Sequence, residues 1–192
     1  MRPSFKMYRS ELNKDIFGLG FKFFILQLGA TILFLTDNLI ISHIYSPELV
    51  PPYEISRKYF GVIIVIFSIF VTPYWSAITD AFENKEFEWI KTSINSLIRI
   101  WIITSLGSFI LLLLFYPIIG FWVGNNIDVP ISLAIQSVIF VILLKINSVY
   151  TYFLNGVGKI NVQILTQIIT IIINIPLSIF FAKTLALGIA GV

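Results

Sequence analysis

Long apolar runs separated by short charged clusters set the plan of this chain. No charged side chain occurs between Lys58 and Asp80, Arg99 and Asp128, or Lys159 and Lys183, stretches of 21, 28 and 23 positions. About 20 apolar residues carry a helix across the hydrocarbon core of a bilayer, where unpaired backbone groups find no partner. Each stretch therefore predicts a spanning helix. Two further runs hold one charge each: Lys22 interrupts the run from Ile16 to Thr36, and Lys145 the run from Pro130 to Asn155. A central lysine costs about 2.5 to 3.5 kcal/mol on insertion scales, while each Ile, Leu or Phe contributes about 0.3 to 0.6, so both runs still insert. The pattern predicts an all-α polytopic membrane helix bundle of about five transmembrane helices, at about 16–44, 57–80, 97–119, 130–154 and 160–182. The run Gly188, Ile189, Ala190, Gly191 reads as the opening of a sixth span. Residues 1–192 are thus expected to form a single bundle, a fragment of a longer chain.

Breakers fall between the predicted spans: Pro47, Pro51 and Pro52 after the first, Pro117, Gly120 and Gly124 after the third, Gly156 and Gly158 after the fourth. Tyr53, Tyr59, Trp75, Trp89, Trp101, Tyr116 and Trp122 lie mostly near predicted ends, as interfacial aromatics do. Between Glu83 and Trp101, Phe87, Ile90, Ile94 and Leu97 recur at helical spacing with Glu88 and Lys91 among them. That segment predicts either an amphipathic helix on the membrane surface or a plain extension of the third span.

The composition sharpens this picture. Hydrophobic residues make up 57% of the chain and charged residues 12%, about half the charged share of soluble domains. The basic lead of Arg2, Lys6, Arg9 and Lys14 precedes an apolar run too long for the core of a cleavable signal peptide, so the first span is expected to remain. With five crossings, one side carries these four plus Lys85, Lys91, Arg99 and Lys159, and the other carries Arg57, Lys58 and Lys183. The positive-inside rule then places the N-terminus in the cytoplasm. Cysteine is absent, which excludes disulfides and thiolate chemistry.

Polar residues inside the spans form stripes. At about 100° per residue, Gln163, Gln167, Thr170, Asn174 and Ser178 share an arc of roughly 80° on the fifth span. Ser68, Thr72, Ser76, Thr79 and Glu83 do the same on the second, and Gln27, Thr31, Asn38 and Ser42 mark one side of the first. Such residues either hold helices together or line a wet cavity. Lys22, Asp37 and Lys145 are expensive at membrane depth and point to the second use. Pro73 and Pro176 lie inside spans beside the stripes, where they remove backbone hydrogen bonds and permit hinges.

Catalytic chemistry is not legible. No loop carries clustered carboxylates, a His–acid pair or metal-ligand spacing. His43, the sole histidine, is six residues from Asp37 rather than one helical turn. The chain is read as neither an enzyme nor a nucleic-acid binder, with no metal or cofactor.

Several motifs resemble the polysaccharide flippase family, which exports lipid-linked O-antigen and related repeat units within the multidrug/oligosaccharidyl-lipid/polysaccharide exporter superfamily. They are Thr36, Asp37, Asn38 in the first span; Thr72, Pro73, Tyr74, Trp75, Ser76, Ala77 with Asp80 and Ala81 closing the second; Trp89 and Ile90; and Leu154, Asn155, Gly156, Val157, Gly158, Lys159 between the fourth and fifth. The resemblance is to the C-terminal half. It implies one of two bundles that rock between inward-open and outward-open states in a bacterial inner membrane. The substrate implied is an undecaprenyl-pyrophosphate-linked oligosaccharide, its tail in membrane lipid. On this reading Lys145 and Lys22 attract phosphate, Asn38, Thr72, Gln167 and Asn174 meet sugar hydroxyls, and Asp37 pairs with a lysine or couples a cation. One bundle is expected to need its missing N-terminal partner for transport. A cation-coupled drug exporter, a non-transporting assembly subunit and a membrane glycosyltransferase remain the other readings.

Overall fold

A computed structural model describes residues 10–124, 127–184 and 188–191. Among the described residues there is no strand. Six helices follow one another: α1 (Ser10–Ile44), α2 (Val50–Glu83), α3 (Phe87–Leu113), α4 (Phe115–Trp122), α5 (Ile131–Gly156) and α6 (Ile160–Ile179). Five helical stretches are long and apolar enough to cross a membrane, from Ile16–Ile44 to Ile160–Thr184. The chain is a polytopic membrane helix bundle.

The observed ends differ from the predicted ones where local chemistry overrides hydropathy. The second spanning segment begins at Pro47, not near residue 57. Ser46 accepts a hydrogen bond from the Glu48 backbone N–H, and Pro47 opens a short 3₁₀ turn that leads into α2. Prolines suit a helix start, where the missing N–H has no intrahelical partner. α2 is 34 residues long, about 51 Å at 1.5 Å per residue, so it outreaches a hydrocarbon core of about 30 Å. The residues from Glu83 to Trp101 form no separate surface helix: α3 starts at Phe87 and runs on to Leu113. Its link to α2 is a tight turn with Lys85 at φ 60° and the Glu86 N–H donating to Ala81 O at 2.8 Å. The third span, expected to run to residue 119, is instead broken at Leu114, three residues before Pro117. The run expected to open a sixth span is a 3₁₀ turn, Gly188–Gly191.

Packing divides the bundle in two. α2, α3 and α5 pack on one another, whereas α1 packs mainly on α6. Near the end where α2 begins, Tyr59, Phe60, Ile63, Phe115, Ile119, Leu133 and Val138 form one core, with the Phe60 and Phe115 rings stacked at 5.8 Å. Near the other end Phe67, Val71, Leu97 and Val149 form a second. Gly156 lets α5 close on α2, because a Cβ there would lie 2.5 Å from Ile78 Cγ2. Large apolar side chains such as Ile103, Leu106 and Leu113 are exposed on α3, as a lipid-facing surface requires.

Candidate functional site

The predicted stripe of α1 reaches α2 through Asn38. α1 lies along the flank of α2: the Phe23 and Trp75 rings are 5.4 Å apart, and Arg57 Cζ sits 4.8 Å from the Phe34 ring centroid. Asn38 Nδ2 donates to Glu54 Oε1 at 2.9 Å, joining the polar arc of α1 to that of α2. At about 100° per residue, Glu54 and Arg57 fall within roughly 60° of Thr72, so they share the arc of the α2 stripe, with Gly61 and the exposed Val65 between them and Ser68. Gln27, Thr31, Thr72 and Ser76 are exposed on this face.

With one exception, the hydroxyls of that face bond within their own helices. Thr31 donates to Gln27 O, Ser68 to Val65 O, Thr72 to Ser68 O, Ser76 to Pro73 O and Thr79 to Trp75 O, each within its own helix. Such back-bonding satisfies the donor and leaves oxygen lone pairs free to accept. One bond crosses, between Thr72 Oγ1 and Tyr152 Oη at 3.2 Å. Tyr152 also packs edge-on to Trp75, giving the half of the face that Thr72 occupies an aromatic wall beside its hydroxyls.

At the end where α1 gives way to α2 the face carries charge. Arg57 Nη2 bonds both oxygens of Glu54, at 2.7 and 2.9 Å, in the one ion pair among the described residues. The arginine is positioned twice over, by Glu54 one turn away and by the Phe34 ring. Tyr53 Oη donates to Asp37 Oδ2 at 3.1 Å. Tyr53, Glu54, Arg57 and Phe34 were not among the residues expected to form a site. The legible signal was the arc of α2, which includes Glu54 and Arg57 once the helix is extended to Val50.

The remaining expected site residues go elsewhere. Lys145 does not line the open face: it is fully buried, with Nζ 3.2 Å from Thr104 Oγ1 and 3.4 Å from Ser108 Oγ of α3. The reason is α3 itself, whose Thr104, Ser105 and Ser108 present a buried hydroxyl strip that replaces part of the ammonium's hydration. Gln167 donates to Leu26 O at 2.8 Å and Gln163 to Asn155 Oδ1 at 2.7 Å, so these two residues of the α6 stripe hold helices together, while Thr170 is exposed and donates to Thr166 O at 2.9 Å within its own helix. Lys22 forms no ion pair with a described residue. Asn174 is half-buried and its Oδ1 is shielded without a donor among the described residues. Pro73 lies exposed inside an unbroken α2. Pro176 lies in the last turn of α6, just before a π-helical stretch, Phe180–Thr184. Among the described residues no group of His, Cys, Asp or Glu could hold a metal ion.

Comparison with family models, curated proteins and solved structures gave no match.

Proposed function

We propose that this chain is one bundle of an inner-membrane flippase of the polysaccharide exporter type, passing the head group of a pyrophosphate-linked oligosaccharide along the α1–α2 face. The reading rests on the motif resemblance and on one observation above all: exposed polar residues of α1 and α2 whose hydroxyls bond back to their own helices, with Arg57 on the same arc near the start of α2. Sugar hydroxyls donate to and accept from Gln27, Thr31, Thr72 and Ser76, and the Trp75–Tyr152 pair supports stacking. Arg57, fixed by Glu54 and Phe34, offers its remaining N–H donors to phosphate oxygens. Lys145 has no such role in this arrangement. The isoprenoid tail stays against the apolar surfaces of the bundle. The N-terminus lies in the cytoplasm, and a second bundle closes the face into a lumen.

The test uses the cysteine-free background. Single cysteines at Thr72, Ser76 and, as a lipid-facing control, Leu106 are introduced into the chain in bilayers and treated with a water-soluble maleimide. Positions 72 and 76 should react and 106 should not, and an undecaprenyl-pyrophosphate-linked oligosaccharide should protect 72 and 76. Equal inertness at all three positions would return the face to lipid and favour an assembly subunit. Protection by an organic cation but not by the lipid-linked sugar would favour a drug exporter.

A further inference from the structure

The end of α2 that leads into α3 carries an open recess of about 350 Å³, lined by Thr72, Trp75, Ser76, Thr79 and Asp80. That volume lies at the small end of the range for ligand pockets, about 300 to 1,000 Å³.

What the recess can bind follows from where its protons are already committed. Thr72 donates to Ser68 O at 2.6 Å, Ser76 to Pro73 O at 3.2 Å and Thr79 to Trp75 O at 3.1 Å. A carbonyl oxygen only accepts, so each of these hydroxyls is left with lone pairs alone. The Thr72–Tyr152 contact obeys the same logic, with Thr72 accepting and Tyr152 donating at 3.2 Å. Asp80 is exposed and forms no ion pair with a described residue. Apart from the Trp75 indole N–H, the lining side chains therefore offer acceptors.

Charge narrows the ligand further. Arg57 lies 23 residues before Asp80, about 35 Å along α2, so the end of the face that suits phosphate is far from the end that repels it. Acceptors, one carboxylate and an aromatic ring together select a cation rich in N–H donors, and a primary ammonium supplies three. Divalent metal ions gather several carboxylates, and among the described residues no such group is present.

We infer that the recess is a subsite for a protonated primary amine on the sugar head group, so that the oligosaccharide carries a free amino sugar. The inference deepens the flippase reading and rests on it for the sugar. Asp80 takes the ammonium, Thr72, Ser76 and Thr79 accept from its remaining N–H groups and from ring hydroxyls, and Trp75 adds cation–π attraction. N-acetylation removes the charge and turns a carbonyl acceptor toward a lining that has little to donate.

The experiment uses the 192-residue chain carrying Ser76→Cys in phosphatidylcholine bilayers, and reads how far free glycosides slow its labelling by a water-soluble maleimide. Methyl glucosaminide should protect position 76 at concentrations about tenfold or more below those needed of methyl N-acetylglucosaminide, the size expected of a charge-assisted hydrogen bond. Asp80→Asn should abolish that preference and Asp80→Glu should keep it; Asp80 is exposed, so folding is not at stake in either variant. Trp75→Leu should weaken protection by both glycosides. Equal protection by the two glycosides, protection by neither, or a preference that survives Asp80→Asn would overturn the inference. So would protection by ethanolamine, or by phosphatidylethanolamine added to the bilayer, equal to that of methyl glucosaminide, since a lipid head group would then supply the amine. The glycosides carry neither pyrophosphate nor an isoprenoid tail, so failure here and failure of protection by the lipid-linked oligosaccharide are separable.

Discussion

Lys145 Nζ lies 3.2 Å from Thr104 Oγ1 across the α3–α5 contact, wholly enclosed and without a carboxylate partner among the described residues. Two hydroxyl acceptors replace only part of the water an ammonium loses on burial. The geometry makes this lysine a structural element of the trio and removes it from the face that Thr72 and Ser76 occupy.

That placement gives the first prediction. Replacing a buried charge by a side chain of similar volume is often neutral or stabilising, whereas removing its acceptors strands it. Lys145→Met should therefore leave unfolding stability unchanged or higher, while Thr104→Val with Ser108→Ala should lower it by about 2 to 4 kcal/mol. Adding Lys145→Met to that double variant should restore most of the loss. A stability loss on Lys145→Met alone would show that the ammonium has a partner beyond these hydroxyls.

Close approach of α5 to α2 gives the second. A Cβ at Gly156 would lie 2.5 Å from Ile78 Cγ2 and 3.3 Å from Trp75 O. Gly156→Ala should cost about 1 to 3 kcal/mol, as overpacking does. Adding Ile78→Ala should recover part of that by removing the clashing methyl. The comparison is a denaturation series of both single variants and the double variant.

Arg57 gives the third. Its guanidinium is held by Glu54 and Phe34 with donors to spare. In the protection assay, Arg57→Gln should weaken protection by the pyrophosphate-linked oligosaccharide about tenfold or more, which is about 1.4 kcal/mol. Arg57→Lys should keep part of it, because a point charge attracts phosphate without the planar fork. Undiminished protection in Arg57→Gln would place the phosphate elsewhere.

Orientation gives the fourth. Lys85 lies in the turn after α2 and Glu48 in the turn before it, so the two mark opposite ends of one long helix. A cysteine at position 48 should react with an impermeant reagent added outside intact cells, and one at position 85 should not. The reverse pattern would invert the topology that the basic residues imply.

Hydropathy alone was enough for five spans and the all-α class, because lipid forces every backbone group into a helix wherever charge is missing for about 20 residues. It misplaced helix ends at Pro47 and Leu114, where proline and capping chemistry, invisible to an apolar average, decide. Helical periodicity likewise gave the stripes on α1 and α2, since azimuth follows from residue spacing.

What periodicity does not contain is the neighbour each stripe meets. The stripes of α2 and α6 have the same arc in sequence, yet Thr72 lies open while Gln163 and Gln167 bond α5 and α1. Lys145 reads as a lumen residue on its own helix and is enclosed only because α3 sets Thr104 and Ser108 opposite it. Tyr45 and Ala182, 137 positions apart, are joined only through the register in which α1 packs on α6. The sequence by itself determined how many helices cross and which side of each is polar. Only the tertiary structure decided which polar sides face one another, because the free energy of that choice lies in contacts between residues far apart in the chain.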